Sequence, residues 1–345
     1  MPNRTTRTSR SRSARVPVLG LAAALAFTLT GCGLLGGEED SGGNEGGDSG
    51  GGALEQTDIK VGVLPVVDVA PLHLAVEKGY FEDEGLNVEI VPQPSGPASI
   101  QALIGGDVDI AFASYPAPIV AQSKGVADFK IVAEALAAKP GHITLVAPPT
   151  SPIKTPADVA GKRIAITAKQ SFTDLAPMAV LESQNIDFGS IDWRPMPFPD
   201  MITNMQNGSV DGAVVVEPWV AIAQQKLGAT VIVDAASGPT AEMPMSGYTA
   251  LGGDGFAGKA PNAAAAFQRA LAKAQEEAQD RSVIEPILVD AIKIDPAIAP
   301  LMTISTFSTT LDPERVQRVS DLLSHFNVMD KKVDVSTMVL SGADS

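Results

Sequence analysis

One cysteine, three histidines, two tryptophans and 5% aromatic residues leave this 345-residue chain poor in the groups that usually carry redox, metal and nucleophile chemistry. A lone Cys32 excludes intramolecular disulfides, thiolate clusters and paired-cysteine redox motifs. No two histidines stand at metal-ligand spacing, so neither a metal nor a cofactor is expected. Bases are scarce too. The formal net charge is −15, yet residues 1–31 hold five arginines and no acid, which leaves 20 basic against 40 acidic residues beyond them, or −20. A surface that acidic repels phosphate backbones, so nucleic acid is not an expected partner. The uncharged stretch 16–31 has 16 residues, short of the roughly 20 that cross a bilayer as a helix. What remains is 45% apolar and rich in Ala, Val, Ile, Gly and Pro, enough for two domains of alternating strands and helices. All-β and coiled-coil folds do not suit that mix.

An arginine-rich start before an apolar stretch predicts an export signal over 1–31. Its arginines are never adjacent, so it is not of twin-arginine type. At its end Leu29-Thr30-Gly31-Cys32 resembles the lipobox of bacterial lipoproteins, which implies lipidation of Cys32 and anchorage to the outer face of the cell membrane. Burial of acyl chains, at about 0.8 kcal/mol per methylene, would supply that anchorage. From 33 to 52 ten of twenty residues are Gly and five are acidic, so 32–57 reads as a flexible tether.

Folded sequence begins with the apolar run 59–64, followed by Pro71 at a helix start, a strand over 88–91, a helix over 100–104 and a strand over 108–113. This β-α-β-α-β order predicts a parallel sheet with helices on both faces. The chain also repeats itself. Asp68-Val69-Ala70-Pro71-Leu72 recurs as Asp174-Leu175-Ala176-Pro177-Met178, and Gly106-Asp107-Val108-Asp109-Ile110-Ala111 as Gly208-Ser209-Val210-Asp211-Gly212-Ala213. Two ordered matches at similar spacing predict two similar α/β lobes. In such sheets ligands sit at the carboxyl ends of strands, against the amino ends of the next helices. Segments 66–71, 113–118, 169–174 and 216–219 occupy that place. They supply the candidate ligand residues Asp68, Ser114, Tyr115, Ser171, Phe172, Thr173, Asp174, Glu217 and Trp219. Asp68 and Asp174 serve equally well as caps of helices beginning near Pro71 and Pro177. Asp109 and Asp211 fall at strand starts on the far side and are structural.

Pro71-Leu72-His73-Leu74-Ala75, Gly79-Tyr80-Phe81-Glu82-Asp83-Glu84-Gly85-Leu86, Gly161-Lys162-Arg163-Ile164-Ala165, Gln170-Ser171 and Glu217-Pro218-Trp219, in that order with the repeats, extend over 57–340. In them the chain resembles the solute-binding proteins of ABC importers for sulfonates, taurine, nitrate and thiamine-pyrimidine precursors. The resemblance implies a type II periplasmic-binding-protein fold, with two α/β lobes joined by a two-strand hinge. Lobe one would hold 58–147 and 245–345 and lobe two 148–244, the chain leaving near 146–149 and returning near 243–250. It also implies a small-molecule solute, an ABC permease in the same membrane as partner, a monomer, and no enzymatic activity. The four ligand segments hold one base, Lys169, against Asp68, Asp174 and Glu217. An amine-bearing or aromatic solute such as a thiamine-pyrimidine precursor is therefore expected, stacked on Trp219 or Tyr115 and bonded by Glu217. The alternative is an alkanesulfonate, taurine or nitrate held by helix amino ends with Ser114, Ser171 and Thr173. A reading of another class, pyrimidine-precursor synthases or quinone-pathway enzymes of the same fold, is disfavoured. The fungal synthases carry a cysteine-rich motif that is missing here.

Overall fold

The internal repeat of the sequence is built as two five-stranded sheets of matching order. The computed structural model describes residues 53–340, so the signal, Cys32 and most of the tether lie outside the described residues. The first repeat forms β1 (Asp58–Val63), α1 (Ala70–Glu77), α2 (Tyr80–Asp83), β2 (Asn87–Pro92), α3 (Gly96–Gly105), β3 (Ile110–Ser114), α4 (Pro116–Ser123) and β4 (Phe129–Ala137). After β5 (Ile143–Ala147), the second forms β6 (Arg163–Ile166), α5 (Phe172–Ser183), β7 (Asp192–Pro195), α6 (Phe198–Gln206), β8 (Gly212–Val216), α7 (Trp219–Leu227) and β9 (Thr230–Asp234). The chain returns through β10 (Pro244–Leu251) and ends in α8 (Phe256–Lys259), α9 (Pro261–Glu277), α10 (Arg281–Asp290) and α11 (Pro313–His325). Among the described residues no helix is long and apolar enough to cross a membrane.

The strand orders are β2-β1-β3-β10-β4 and β7-β6-β8-β5-β9. In each sheet the fourth strand is the antiparallel one, and it is the strand that brings the chain across from the other sheet. β5 was expected at the end of lobe one. Instead it pairs Ile143 with Val216 and Leu145 with Val233, inside the second sheet, where all five of its residues are buried. An all-apolar strand fits any sheet interior, so pairing rather than composition decides its place. The two crossovers thus run over 138–142 and 235–243, earlier than the expected 146–149 and 243–250.

The repeat also explains its aspartates. Asp109 accepts the Lys60 amide at 2.8 Å and Asp211 the Arg163 amide at 2.9 Å, so each ties the first strand of its sheet to the third. Asp211 adds a bond from the Arg163 guanidinium at 2.7 Å, which holds its carboxyl below the usual range. The end of the expected tether is docked rather than loose. The Glu55 carboxylate accepts the amides of Asn262 and Ala263 at 3.1 and 3.3 Å, a favourable place for negative charge at the start of α9. On its other flank α9 packs Phe267 against Phe81, ring centroids 5.1 Å apart.

β10 passes very close to the start of α4. A Cβ on Gly247 would stand 2.5 Å from the Tyr115 hydroxyl and 2.6 Å from the Ala133 carbonyl. Gly247→Ala is therefore expected to destabilise the fold by about 2 kcal/mol, the usual scale of overpacking. A urea titration with an unchanged midpoint would show that both Tyr115 and the β4 main chain at Ala133 give way.

Candidate functional site

Strand ends and helix starts of both sheets converge on one cavity of about 70 Å³. From the first sheet come Asp68, in the turn after β1, Phe112 and Ser114 on β3, and Ser246 on β10. The second contributes Thr167 after β6, Ser171 to Thr173 at the start of α5, Phe198 at the start of α6, and Val216. His142 enters from the first crossover, and Gly96 and Pro97 open α3 at the rim. First-turn amides sit at the positive end of the helix dipole, but Ser95 takes the Ala98 amide, Ser171 takes the Thr173 amide, and prolines stand at 97 and 199. The amides left for a solute are those of Gly96, Phe172 and Phe198, one at each start of α3, α5 and α6. On the scale where one water needs about 10–15 Å³, the space suits a solute of a few heavy atoms.

Of the candidate ligand residues, Asp68, Ser114, Ser171, Phe172 and Thr173 line the cavity. Their chemistry is less uniform than their position. Ser171 caps α5 in a capping box with Asp174, whose carboxylate accepts the amides of Gln170 and Ser171 at 2.7 and 2.8 Å. Burial nonetheless pushes the Asp174 carboxyl up to about 6. The helix begins at Phe172, not near Pro177, which lies inside it; the capping box, not the proline, sets the start. The Ser171 hydroxyl donates to the Ala168 carbonyl at 2.8 Å, so at 2.7 Å from Thr173 Oγ1 it must accept. Thr173 in turn accepts from the Thr167 amide at 3.1 Å and, with its own proton spent, from the Thr167 hydroxyl at 3.0 Å. This ladder uses all three hydroxyl protons internally. It stiffens the wall and leaves the Ser114 hydroxyl, the helix-start amides and His142 as the donors facing a solute.

Four candidates take other roles. Tyr115 is fully buried behind the cavity, its hydroxyl pushed well above the ordinary value by burial and by nearby Glu134. Asp174 is a cap. Both Glu217 oxygens are engaged, one by the Thr303 amide at 2.9 Å and the other by the Ala221 amide at 3.1 Å. Trp219 stacks on Phe198, 6.1 Å between centroids, and donates from Nε1 to the Pro65 carbonyl at 3.3 Å. The aromatic faces that do line the cavity are Phe112, Phe172 and Phe198. Phe112 sits inside a strand and Phe198 after β7, where no repeat drew attention to it. His142, by residue type a packing or surface histidine, also lines the cavity. It lies 3.4 Å from Asp68, on a crossover that only the topology reveals.

Two sheets of this order, joined by two crossovers around a cavity, define a periplasmic-binding-protein architecture. The alkanesulfonate-binding protein SsuA from Xanthomonas axonopodis pv. citri, solved bound to MOPS, superposes with a TM-score of 0.71 at 21% identity, over 84% of this chain and 99% of that one. The chain belongs to the NMT1-like family, whose sequence profile matches residues 52–287. It is 25% identical over 328 residues, 92% of each chain, to a candidate aliphatic sulfonates-binding protein of Bacillus subtilis. It is 29% identical over 199 residues to the nitrate/nitrite binding protein NrtA of Nostoc, an alignment covering 52% of this chain and 45% of that protein. The chain spans less than half the length of several curated relatives that it matches.

Proposed function

We propose that the protein is the extracytoplasmic solute-binding component of an ABC importer, and that its solute is a small oxyanion of the sulfonate or nitrate kind. The observation that carries the reading is the meeting of α3, α5 and α6 amino ends at one small cavity whose walls hold no Lys or Arg. Oriented amides hold an anion without a cationic side chain. The relatives named for sulfonates and for nitrate support the same choice. The amine-bearing reading loses the groups that were to recognise it, because Glu217 is saturated and Trp219 faces Phe198. Phe112, Phe172 and Phe198 would flank the apolar part of an organic anion. Lobe closure about the two crossovers would trap it, with 58–142 and 244–340 on one side and 143–234 on the other. Lipid attachment at Cys32 would keep the protein beside its permease, acting as a monomer.

An enzymatic reading fits the cavity poorly. The described residues contain no cysteine. Asp68 stands between Ser246 and His142, accepting from the Ser246 hydroxyl at 2.6 Å. A nucleophilic serine needs the histidine in the middle.

The test is a thermal-shift series with nitrate, ethanesulfonate and taurine against an aminopyrimidine. Saturation at 100 times the dissociation constant adds about 2.7 kcal/mol of stability, and the anions are expected to give it. Ser114→Ala, which removes a hydroxyl making no internal bond, is expected to weaken anion binding about tenfold at unchanged stability. Stabilisation by the aminopyrimidine alone would overturn the oxyanion reading.

A further inference from the structure

A carboxylate stands in the wall of a cavity that is read as an anion site. Asp68 is 6% exposed; Ser246 donates to its Oδ2, and its Oδ1 has no hydrogen-bond partner. Facing Oδ1 at 3.4 Å is Nε2 of His142, whose ring is fully buried and whose two nitrogens are both unpartnered. Buried polar atoms are nearly always bonded. Of the three unbonded atoms, Asp68 Oδ1 and His142 Nε2 stand close enough to pair once the ring is protonated, which leaves His142 Nδ1 for a solute oxygen.

The surroundings define what the pair can do. Behind Asp68 lies Tyr248, fully buried and held neutral by that burial and by the Asp68 charge. Behind His142 lies Glu217, whose amide donates to the His142 carbonyl and whose carboxylate is engaged by Thr303 and Ala221. Arg281 acts on Glu217 and donates to the carbonyls of Met302 and Ala299. No Lys or Arg lines the cavity itself. Imidazole is therefore the one side chain there that can become a cation. As imidazolium it has a donor on each nitrogen, one for Asp68 and one for a solute oxygen. As neutral imidazole it has a single donor, and an entering anion would meet the Asp68 charge uncompensated.

We propose that His142, oriented by Asp68, is the cationic contact of the bound oxyanion and takes up one proton when the solute binds. This rests on the oxyanion reading above and adds a pH dependence to it. Binding that favours the protonated ring weakens as the proton becomes scarcer, so affinity falls as pH rises. The limit is tenfold per pH unit for one coupled proton. Asp68 is then a positioning residue, and the three carboxylates counted against an anion in the sequence reduce to one that acts through a histidine.

The experiment is titration of the full-length protein with nitrate and with ethanesulfonate from pH 5 to 8. Proton uptake is followed by an indicator dye in weakly buffered solution, free of sulfonate and phosphate buffers. The expected result is proton uptake on anion binding, up to one per anion, and an affinity that falls with rising pH by at most tenfold per unit. His142→Gln should bind weakly and without pH dependence, and Asp68→Asn should move the fall in affinity to lower pH. Anion binding by the unaltered protein with no proton uptake and a flat pH profile overturns the proposal and leaves the oxyanion reading intact. Failure of both anions to bind at any pH overturns both. The wild-type uptake measurement decides the matter even where a variant does not fold.

Discussion

Replacing Arg315 by methionine is expected to lower folding stability by about 3–5 kcal/mol at pH 7.5, the scale on which a buried charge is felt when its partner is removed. The charge is Glu134 on β4, whose side chain is wholly buried. Arg315 reaches it from α11 at 3.2 Å, and the Ser308 hydroxyl donates to the same oxygen, while Oε2 has no hydrogen-bond partner. Burial pushes the Glu134 carboxyl up, and Ser308 and Arg315 only partly pull it back. A carboxyl raised in the folded state contributes stability at pH below its unfolded value and loses it as pH rises through the folded value. Without Arg315 the folded value climbs further, so protonation relieves the variant first. Urea unfolding of Arg315→Met and wild type at pH 7.5 and pH 5 should therefore show a smaller gap at pH 5. Equal losses at both would assign the effect to packing of the arginine stem.

The legible parts of this protein are those whose causes are local. The strand that becomes β1, the turn carrying Asp68, the start of β3 and their echoes at β6, α5 and β8 are set by neighbours a few residues away, so the repeat displays them. Carboxyl-end geometry then placed Asp68, Ser114 and Ser171 to Thr173 on the cavity. What sequence reading missed is non-local. β5 is as apolar as any strand here, and its sheet is chosen by partners 67 to 90 positions downstream, from Ala213 to Asp234. His142 matters because that choice puts it opposite Asp68, 74 positions earlier. Glu217 and Trp219 lie on the expected loop, but their side chains answer to Thr303 and Phe198, which no motif links to them. Hydroxyl direction at Ser171 is likewise fixed by the Ala168 carbonyl, a geometry with no sequence signature.

Glu217→Ala is expected to cost about 3 kcal/mol or more, because this residue is a junction rather than a solute contact. Its side chain accepts the Thr303 amide from the segment before α11 and the Ala221 amide in the first turn of α7. Its main chain accepts from Val67, in the turn after β1, and donates to the His142 carbonyl, both at 3.2 Å. One residue at the end of β8 thereby joins the second sheet to the first and to the crossover that carries the proposed proton site. Alanine leaves two amides without acceptors in a buried place, each worth about 1–3 kcal/mol, and adds a void. Glutamine keeps the shape but turns one acceptor into a donor, for a loss of about 1–2 kcal/mol. Burial is the largest influence on the Glu217 carboxyl and raises it, against the pull of the two amides and of His142 and Arg281. Its stabilising contribution is thus fuller at acid pH and declines as pH rises through the folded value, so Glu217→Gln should lose less relative to wild type at pH 8 than at pH 5. Calorimetric melting across that range checks the trend. A Glu217→Gln protein of wild-type stability that no longer binds nitrate or ethanesulfonate would move this carboxylate from the junction to the solute.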